Sequence, residues 1–382
     1  MERIDGINLK RIEWCCTDMG TTLDSLAFDL GISTSAIDRL KAGEPSLTFN
    51  QLSKVANHFG RGVLFFLEEG DIRPENVHSA QFRTIAGQKP DLTPNIKRLI
   101  ERVEKHKAIY LDLKEELTDI EFPAFNPPDI PKNNPQAAAN LVRKWLQIGS
   151  SNSFETYRSA LEAKGILVFR SMGYNGKWQI PKESPILGFA LYDENCPTIV
   201  IKKLFVESRQ SFTMMHELGH ILLHKNSSID DEIDFYARNG HEREANLFAA
   251  NLLVPDEYLA EVLKTNIPDD VSEFDCWLND FRKLLGVSAD VIIIRLIEAG
   301  AINQNTYNEY CEWRSNQRLP DSEAAPRIYR YREPVHIFGE RYVKTVIQSL
   351  SAKRITLTKA SKYLDNLKVK DIHTLGSRYA NS

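Results

Sequence analysis

Cysteine is scarce: five in 382 residues, an odd number with no CxxC pair. That argues against a disulfide scaffold and against a cysteine-rich zinc site. Cys15 and Cys16 are adjacent and poorly placed to bridge, so a reduced, cytoplasmic protein is expected. Long apolar runs are missing as well. The densest, Val291 to Ile294, is cut by Arg295, far short of the ~18 residues a membrane span needs, and no membrane partner is expected. The first residues, MERIDGINLKRIEW, carry charges where a secretory signal needs its apolar stretch. There is no internal repeat and no low-complexity tract. Charge of one sign is not in large excess either: the net value of −4 does not by itself suggest nucleic acid. Its distribution is uneven. Residues 1–70 hold 7 Lys+Arg against 10 Asp+Glu, whereas residues 321–382 hold 12 against 6. Attraction to a polyanion would therefore involve the C-terminal end, unless that end is simply a solvated basic surface.

What remains is an ordinary globular composition, 42% apolar and 26% charged, in a chain long enough for two to three domains. Apolar residues recur at helical spacing in Leu9–Met19, Leu23–Leu30, Ala36–Leu40, Leu47–Phe59 and Val63–Leu67, separated by glycine-containing turns. Thr22 and Ser33 are natural N-caps for the second and third of these helices. Residues 1–70 thus read as a five-helix domain. An irregular stretch, a long amphipathic helix from Pro94 and a proline-rich linker, FPAFNPPDIPKNNP, form a connector over 71–135. Helices at Gln136–Leu146 and Phe154–Lys164, β-like runs at Ile166–Arg170, Ile186–Tyr192 and Thr198–Leu204, and a strongly helical remainder from near Arg209 describe an α+β domain over 136–305. A basic helical region, 306–382, ends the chain. The expected fold is mainly α, with a small sheet of about three strands.

The chemistry sits in HELGHILLH, which contains HExxH at His216, Glu217 and His220. Chance gives about 0.02 such matches in a chain of this composition. On a helix, residues i and i+4 share a face, so both imidazoles can reach one Zn²⁺. Glu217, rotated by about 100°, sits beside the metal and can take a proton from the attacking water. The competing reading is two core histidines on a buried helix with an incidental glutamate. A catalytic zinc wants a third protein ligand and one open position. His224 lies two helical turns from His216, about 12 Å, which excludes it as a ligand and suits it to a structural hydrogen bond. A second helix, HEREANLFAANLLVP, is ended by Pro255. Glu242 and Asn246 share one face of it; Glu242 could coordinate zinc while Asn246 bonds a histidine from outside the ligand shell. Glu244 is expected to face solvent, and His241 is a weaker candidate beside the metal.

HELGHILLH followed by EREANLFAANLLVP resembles the ImmA/IrrE metallopeptidases, whose hallmark is HExxH and a downstream ExxAxxFAxxLLxP. Every fixed position matches, from Glu242 through Ala245, Phe248, Ala249, Leu252 and Leu253 to Pro255. With GFALYDENCPTIVI and RQSFTMMHELGH upstream, the resemblance covers about residues 136–300. It implies a zincin-like peptidase domain with His216, His220 and Glu242 as zinc ligands and Glu217 as general base. It also implies a regulatory protease whose substrate is a transcriptional repressor or an antitoxin-like protein. Tyr236, Arg238 and His241 are candidates to stabilise the oxyanion. The Thr198–Leu204 strand, which precedes the HExxH helix, is expected as the edge that pairs with an extended substrate. The alternative is a transcription regulator or antitoxin whose peptidase-like domain mainly binds a partner.

Residues 23–43 resemble the lambda-repressor-like (Xre) helix-turn-helix, with Gly31 at the turn and Ile37 and Leu40 anchoring the second helix. That resemblance implies double-stranded DNA contacts through Thr34, Ser35, Asp38 and Arg39, and possible binding as a homodimer. The domain is net acidic, however, with Asp24, Asp29 and Asp38 in or near the reading elements, and poor in the cations that hold phosphate. Docking on another protein is the competing role. Residues 281–302 also have helix-turn-helix spacing, read here as core packing. The Tyr342–Leu375 stretch looks like the small helical tail often found after this peptidase.

Overall fold

The computed structural model describes residues 2–70, 72, 85, 88, 92–150, 152–172, 176–231, 240–317 and 330–380. The chain is mainly helical with one small sheet and divides into two compact units, Met1–Val103 and Glu104–Ser382. The division falls inside the long helix Pro94–Glu116. Among the described residues no helix is long and apolar enough to cross a membrane.

In the first unit, helices Leu9–Asp18, Leu23–Leu30, Thr34–Lys41 and Phe49–Phe59 and a 3₁₀ turn at Val63–Phe66 follow one another closely. They bury Ile12, Leu26, Ile37, Leu40, Leu52, Phe59 and Phe66 in one core. Thr22 caps the second helix by accepting from the Ser25 N–H, and Gly31 ends it at φ 65°, a left-handed conformation that glycine adopts without strain. Ser33 was expected to cap the third helix in the same way. Its hydroxyl instead lies 3.2 Å from the Ser35 hydroxyl and makes no cap bond.

The second unit is organised around a four-stranded sheet, one strand more than expected. The strands are β1 (Leu167–Ser171), β2 (Ile186–Leu191), β3 (Thr198–Lys202) and β4 (Ser228–Asp231), in spatial order β1-β3-β2-β4. β3 pairs in parallel with β1 and antiparallel with β2, so it is central. The expectation that it forms the substrate-facing edge is therefore wrong. The edges are β1 and β4. β4 also lies within the stretch after Arg209 that was expected to be strongly helical.

Helices Pro135–Leu146, Phe154–Glu162, Glu207–Gly219 and Gly240–Leu253 share the main core with the sheet. Helices Asn279–Leu285 and Ala289–Glu298, the second pair with helix-turn-helix spacing, put Leu285, Ile292, Ile293 and Leu296 into that same core. The proline-rich segment runs close against the turn after Phe154–Glu162. A Cβ on Gly165, at φ 80°, would lie 2.7 Å from the Phe125 nitrogen.

The C-terminal region is fastened to the β1 side by a buried arginine. Arg158 donates to the carbonyls of Val335 (3.1 Å), His336 (3.1 Å) and Ile337 (3.0 Å), and also to Val168 on β1. Glu162, 3.4 Å from Arg158, accepts from the Arg341 N–H at 3.0 Å. The helix Glu333–Ser351 is broken between these contacts at Gly339, which has φ 79° and ψ 169°. Phe338 and Tyr342 complete an aromatic cluster with His106, Phe169 and Trp178.

Candidate metal centre

The HExxH helix, Glu207–Gly219, is buried on every side from Gln210 onward. His216 and Glu217 are fully buried and His220 is 4% exposed. The second motif helix, Gly240–Leu253, crosses it at close range. A Cβ on Gly219 would stand 3.2 Å from the Ala245 Cα, so this pair of small residues sets how near the backbones come. Glu242, one turn before Ala245, thereby reaches the histidines.

His216 Nε2 and His220 Nε2 are 3.1 Å apart, and Glu242 Oε2 lies 3.2 Å from the first and 3.3 Å from the second. An imidazole nitrogen offers either one N–H or one lone pair, so hydrogen bonding cannot satisfy all three mutual approaches at once. A central cation can. For Zn–N and Zn–O distances near 2.0–2.1 Å, the edge of a tetrahedral ligand shell is about 3.3 Å. The three atoms thus fit the chemistry and spacing of a zinc site.

Ordering of the imidazoles comes from His224, through the structural hydrogen bond expected of it. After Gly219 the helix widens into a π turn, His220–His224, a feature that recurs at functional sites. His224 Nδ1 comes within 3.0 Å of His220 Nδ1, and His224 Nε2 within 3.0 Å of Glu244 Oε2. Burial pushes the His224 imidazole down to about 4, against the pull of Glu244, so it is neutral. Its Nε2–H then donates to Glu244, its Nδ1 accepts from His220 Nδ1–H, and the His220 Nε2 lone pair is left facing the centre. Glu244, expected on the solvent side, is half-exposed but holds this chain in place. His241, which is exposed, stacks on His224 with ring centroids 4.1 Å apart. Asn246 is buried on the Glu242 helix, but the partner on His220 Nδ1 is His224.

Glu217 points away from the Glu242 side toward the sheet. Its Oε2 accepts from the Ser228 hydroxyl at 2.8 Å. Burial, and then the neighbouring Asp230 carboxylate, push its proton affinity well up from the ordinary carboxylate range. Gly188 on β2 makes room for it: a Cβ there would meet Glu217 Oε1 at 2.8 Å. Asp230, 1% exposed, lies with Oδ2 3.3 Å from His216 Nε2 and Oδ1 3.7 Å from His220 Nε2. Burial raises Asp230, but the adjacent His216 outweighs that and holds it low. Ser228 and Asp230 were not among the expected site residues. Their one sequence signal is the alternation Ser228-Ile229-Asp230 shortly after HExxH, weak because aspartate is depleted in strands.

Of the expected oxyanion donors, Tyr236 and Arg238 lie outside the described residues. In the first unit, Thr34, Ser35 and Asp38 are exposed on the helix Thr34–Lys41, with Arg39 half-buried.

A small sheet backed by a buried HExxH helix and a crossing glutamate helix defines a metallopeptidase-like domain. Residues 164–296 match the M78 peptidase model described as the IrrE N-terminal-like domain. A 98-residue stretch is also 34% identical to the uncharacterized immunity region protein 2 of Bacillus phage phi105. The aligned stretch is 25% of this chain and spans 61% of the length of that relative.

Proposed function

We propose that this protein is a zinc-dependent endopeptidase that cleaves a transcriptional repressor or similar regulatory protein in mobile-element or stress control. The observation that carries this reading is the convergence of His216 Nε2, His220 Nε2 and Glu242 Oε2 at mutual distances of 3.1–3.3 Å, with the buried Glu217 beside them. The similarity to a phage immunity-region protein supports a regulatory substrate. Zinc, when bound, supplies a Lewis acid that acidifies water and polarises the scissile carbonyl. Glu217 takes the proton as water adds to the carbonyl carbon and returns it to the departing amine as the C–N bond breaks. Its raised proton affinity suits a group that must accept a proton from water. The sheet edge nearest the site is β4, and an extended substrate backbone would pair there rather than on β3. Purified wild-type protein should carry about one zinc per chain and cut a helix-turn-helix repressor, read by mass spectrometry of new N-termini. His216→Ala should lose both properties, its zinc affinity falling by more than about 100-fold. Metal-free wild-type protein after zinc loading would end this reading.

The N-terminal unit would meet double-stranded DNA through Thr34, Ser35 and Asp38, exposed on its third helix, and Arg39, half-buried in the last turn of that helix, as a dimer on a palindromic site. A second role, docking on a protein, is favoured by Phe28, which is 88% exposed beside the exposed Asp24 and Asp29. A DNA titration separates them. DNA binding should weaken steeply with salt, and Arg39→Ala should lower the log–log slope by about 1. A flat salt dependence, or no binding, assigns the unit to protein docking.

A further inference from the structure

We infer that Asp230 is a fourth ligand of the metal centre, so that the ion rests in a closed shell and hydrolysis by the wild-type protein is slowed to the fraction of time in which β4 releases that carboxylate. This rests on the reading of His216, His220 and Glu242 as the other three ligands. One ligand atom from each of the four residues falls within a sphere of mutual distances no larger than 4.8 Å. The distances from His216 Nε2 to its three neighbours are 3.1, 3.2 and 3.3 Å, the last to Asp230 Oδ2. All are close to the edge of about 3.3 Å expected for a tetrahedral zinc shell. Asp230 Oδ2 is buried, and it faces His216 Nε2 at 3.3 Å, the side from which a cation would be held.

Charge points the same way. Two neutral imidazoles and one carboxylate leave a divalent ion with a net positive charge in a buried site, which is costly. The Asp230 carboxylate cancels it. The strand geometry is built to deliver that group: Ser228 and Asp230 share the face turned to the HExxH helix. The β2–β4 register shifts between Ile186 and Gly188, where Gly188 pairs with Asp230. Such irregularities re-aim side chains beside active sites.

A catalytic zinc keeps one position open for water, whereas four protein ligands describe a closed site. β4 is a four-residue edge strand paired on one side with β2. It is the shortest strand of the sheet, and its displacement would open the fourth position.

The test uses full-length protein loaded with Co²⁺, whose visible absorption reports its ligands, and azide as the probe of an open position. Azide should leave the wild-type spectrum unchanged and shift that of Asp230→Ala. In chelator competition the variant should bind Zn²⁺ 10- to 100-fold more weakly than wild type. Asp231→Ala, on the opposite face of the strand, should match wild type in both measurements. Asp230→Asn preserves shape and guards against a folding defect in the alanine variant; it too should bind azide. Peptide hydrolysis should rise in Asp230→Ala. Azide binding by the wild-type cobalt protein, or unchanged zinc affinity in both Asp230 variants, would overturn the inference while leaving the three-ligand site standing. Failure of wild type to take up either metal would remove both readings together.

Discussion

Glu217→Gln is expected to lower peptide-bond hydrolysis by roughly 10²- to 10⁴-fold, the usual contribution of a positioned general base, while zinc affinity stays within a few-fold of wild type. The separation follows from where the side chain points. The converging atoms that could hold an ion belong to His216, His220, Asp230 and Glu242, and Glu217 is not among them. Glutamine occupies the same volume between Gly188 and Ser228, so the pocket need not rearrange. Its amide oxygen can still accept from the Ser228 hydroxyl, and its NH₂ can donate to the Asp230 carboxylate. What it cannot do is hold the proton taken from water. The measurement is zinc content together with the appearance of new N-termini in a peptide mixture. A Gln variant that cuts at the wild-type rate would show that another group is the base. A variant that loses zinc as well would show that Glu217 holds the metal site together.

This site was legible from the sequence where its parts are local and opaque where they are not. HExxH places two imidazoles on one helical face by periodicity alone, and Gly219 and Ala245 explain why the two motifs recur together: they let the helices approach. Three features escaped that logic. Asp230 and Ser228 lie on a strand of four residues, two of them aspartates, which no propensity argument favours. The central position of β3 is a matter of which strands meet across the sheet, and chain order carries no signal for it. The hydrogen bond expected of His224 is present, on His220 one turn earlier, but that this stretch widens into a π turn has no local signal in the sequence. In the first unit, by contrast, the helices follow from short-range spacing and from Thr22 and Gly31, and the expected boundaries needed little adjustment. The sequence resemblance also carried no hint of how the C-terminal region is attached, because the contacts join residues nearly 180 positions apart.

That attachment makes the other large prediction. Gly339→Ala is expected to destabilise the second unit by on the order of 3 kcal/mol or more. At φ 79° and ψ 169°, Gly339 occupies a region that is essentially restricted to glycine, and a side chain there costs on the order of 1–3 kcal/mol before any contact is considered. The contact is severe: a Cβ would sit 1.6 Å from Glu162 Oε1. Glu162 has nowhere to go without cost. Burial pushes its carboxyl up to about 7 against the pull of Arg158 and the Arg341 N–H. Displacing it would strip a partner from the buried Arg158, which also anchors the carbonyls of Val335, His336 and Ile337. For a unit of this size the melting temperature should fall by roughly 10 °C. Gly376→Ala is the matched control. It lies in the helix Val369–Ala380, where the nearest atom to a new Cβ is Ile347 Cγ2 at 3.9 Å, so alanine should be neutral or stabilise by up to about 1 kcal/mol. Equal melting temperatures for the two variants would mean that the clamp does not hold the C-terminal helices in place. A large drop confined to Gly339→Ala, with zinc content unchanged, would show that those helices are part of the folded unit while the metal centre is assembled independently of them.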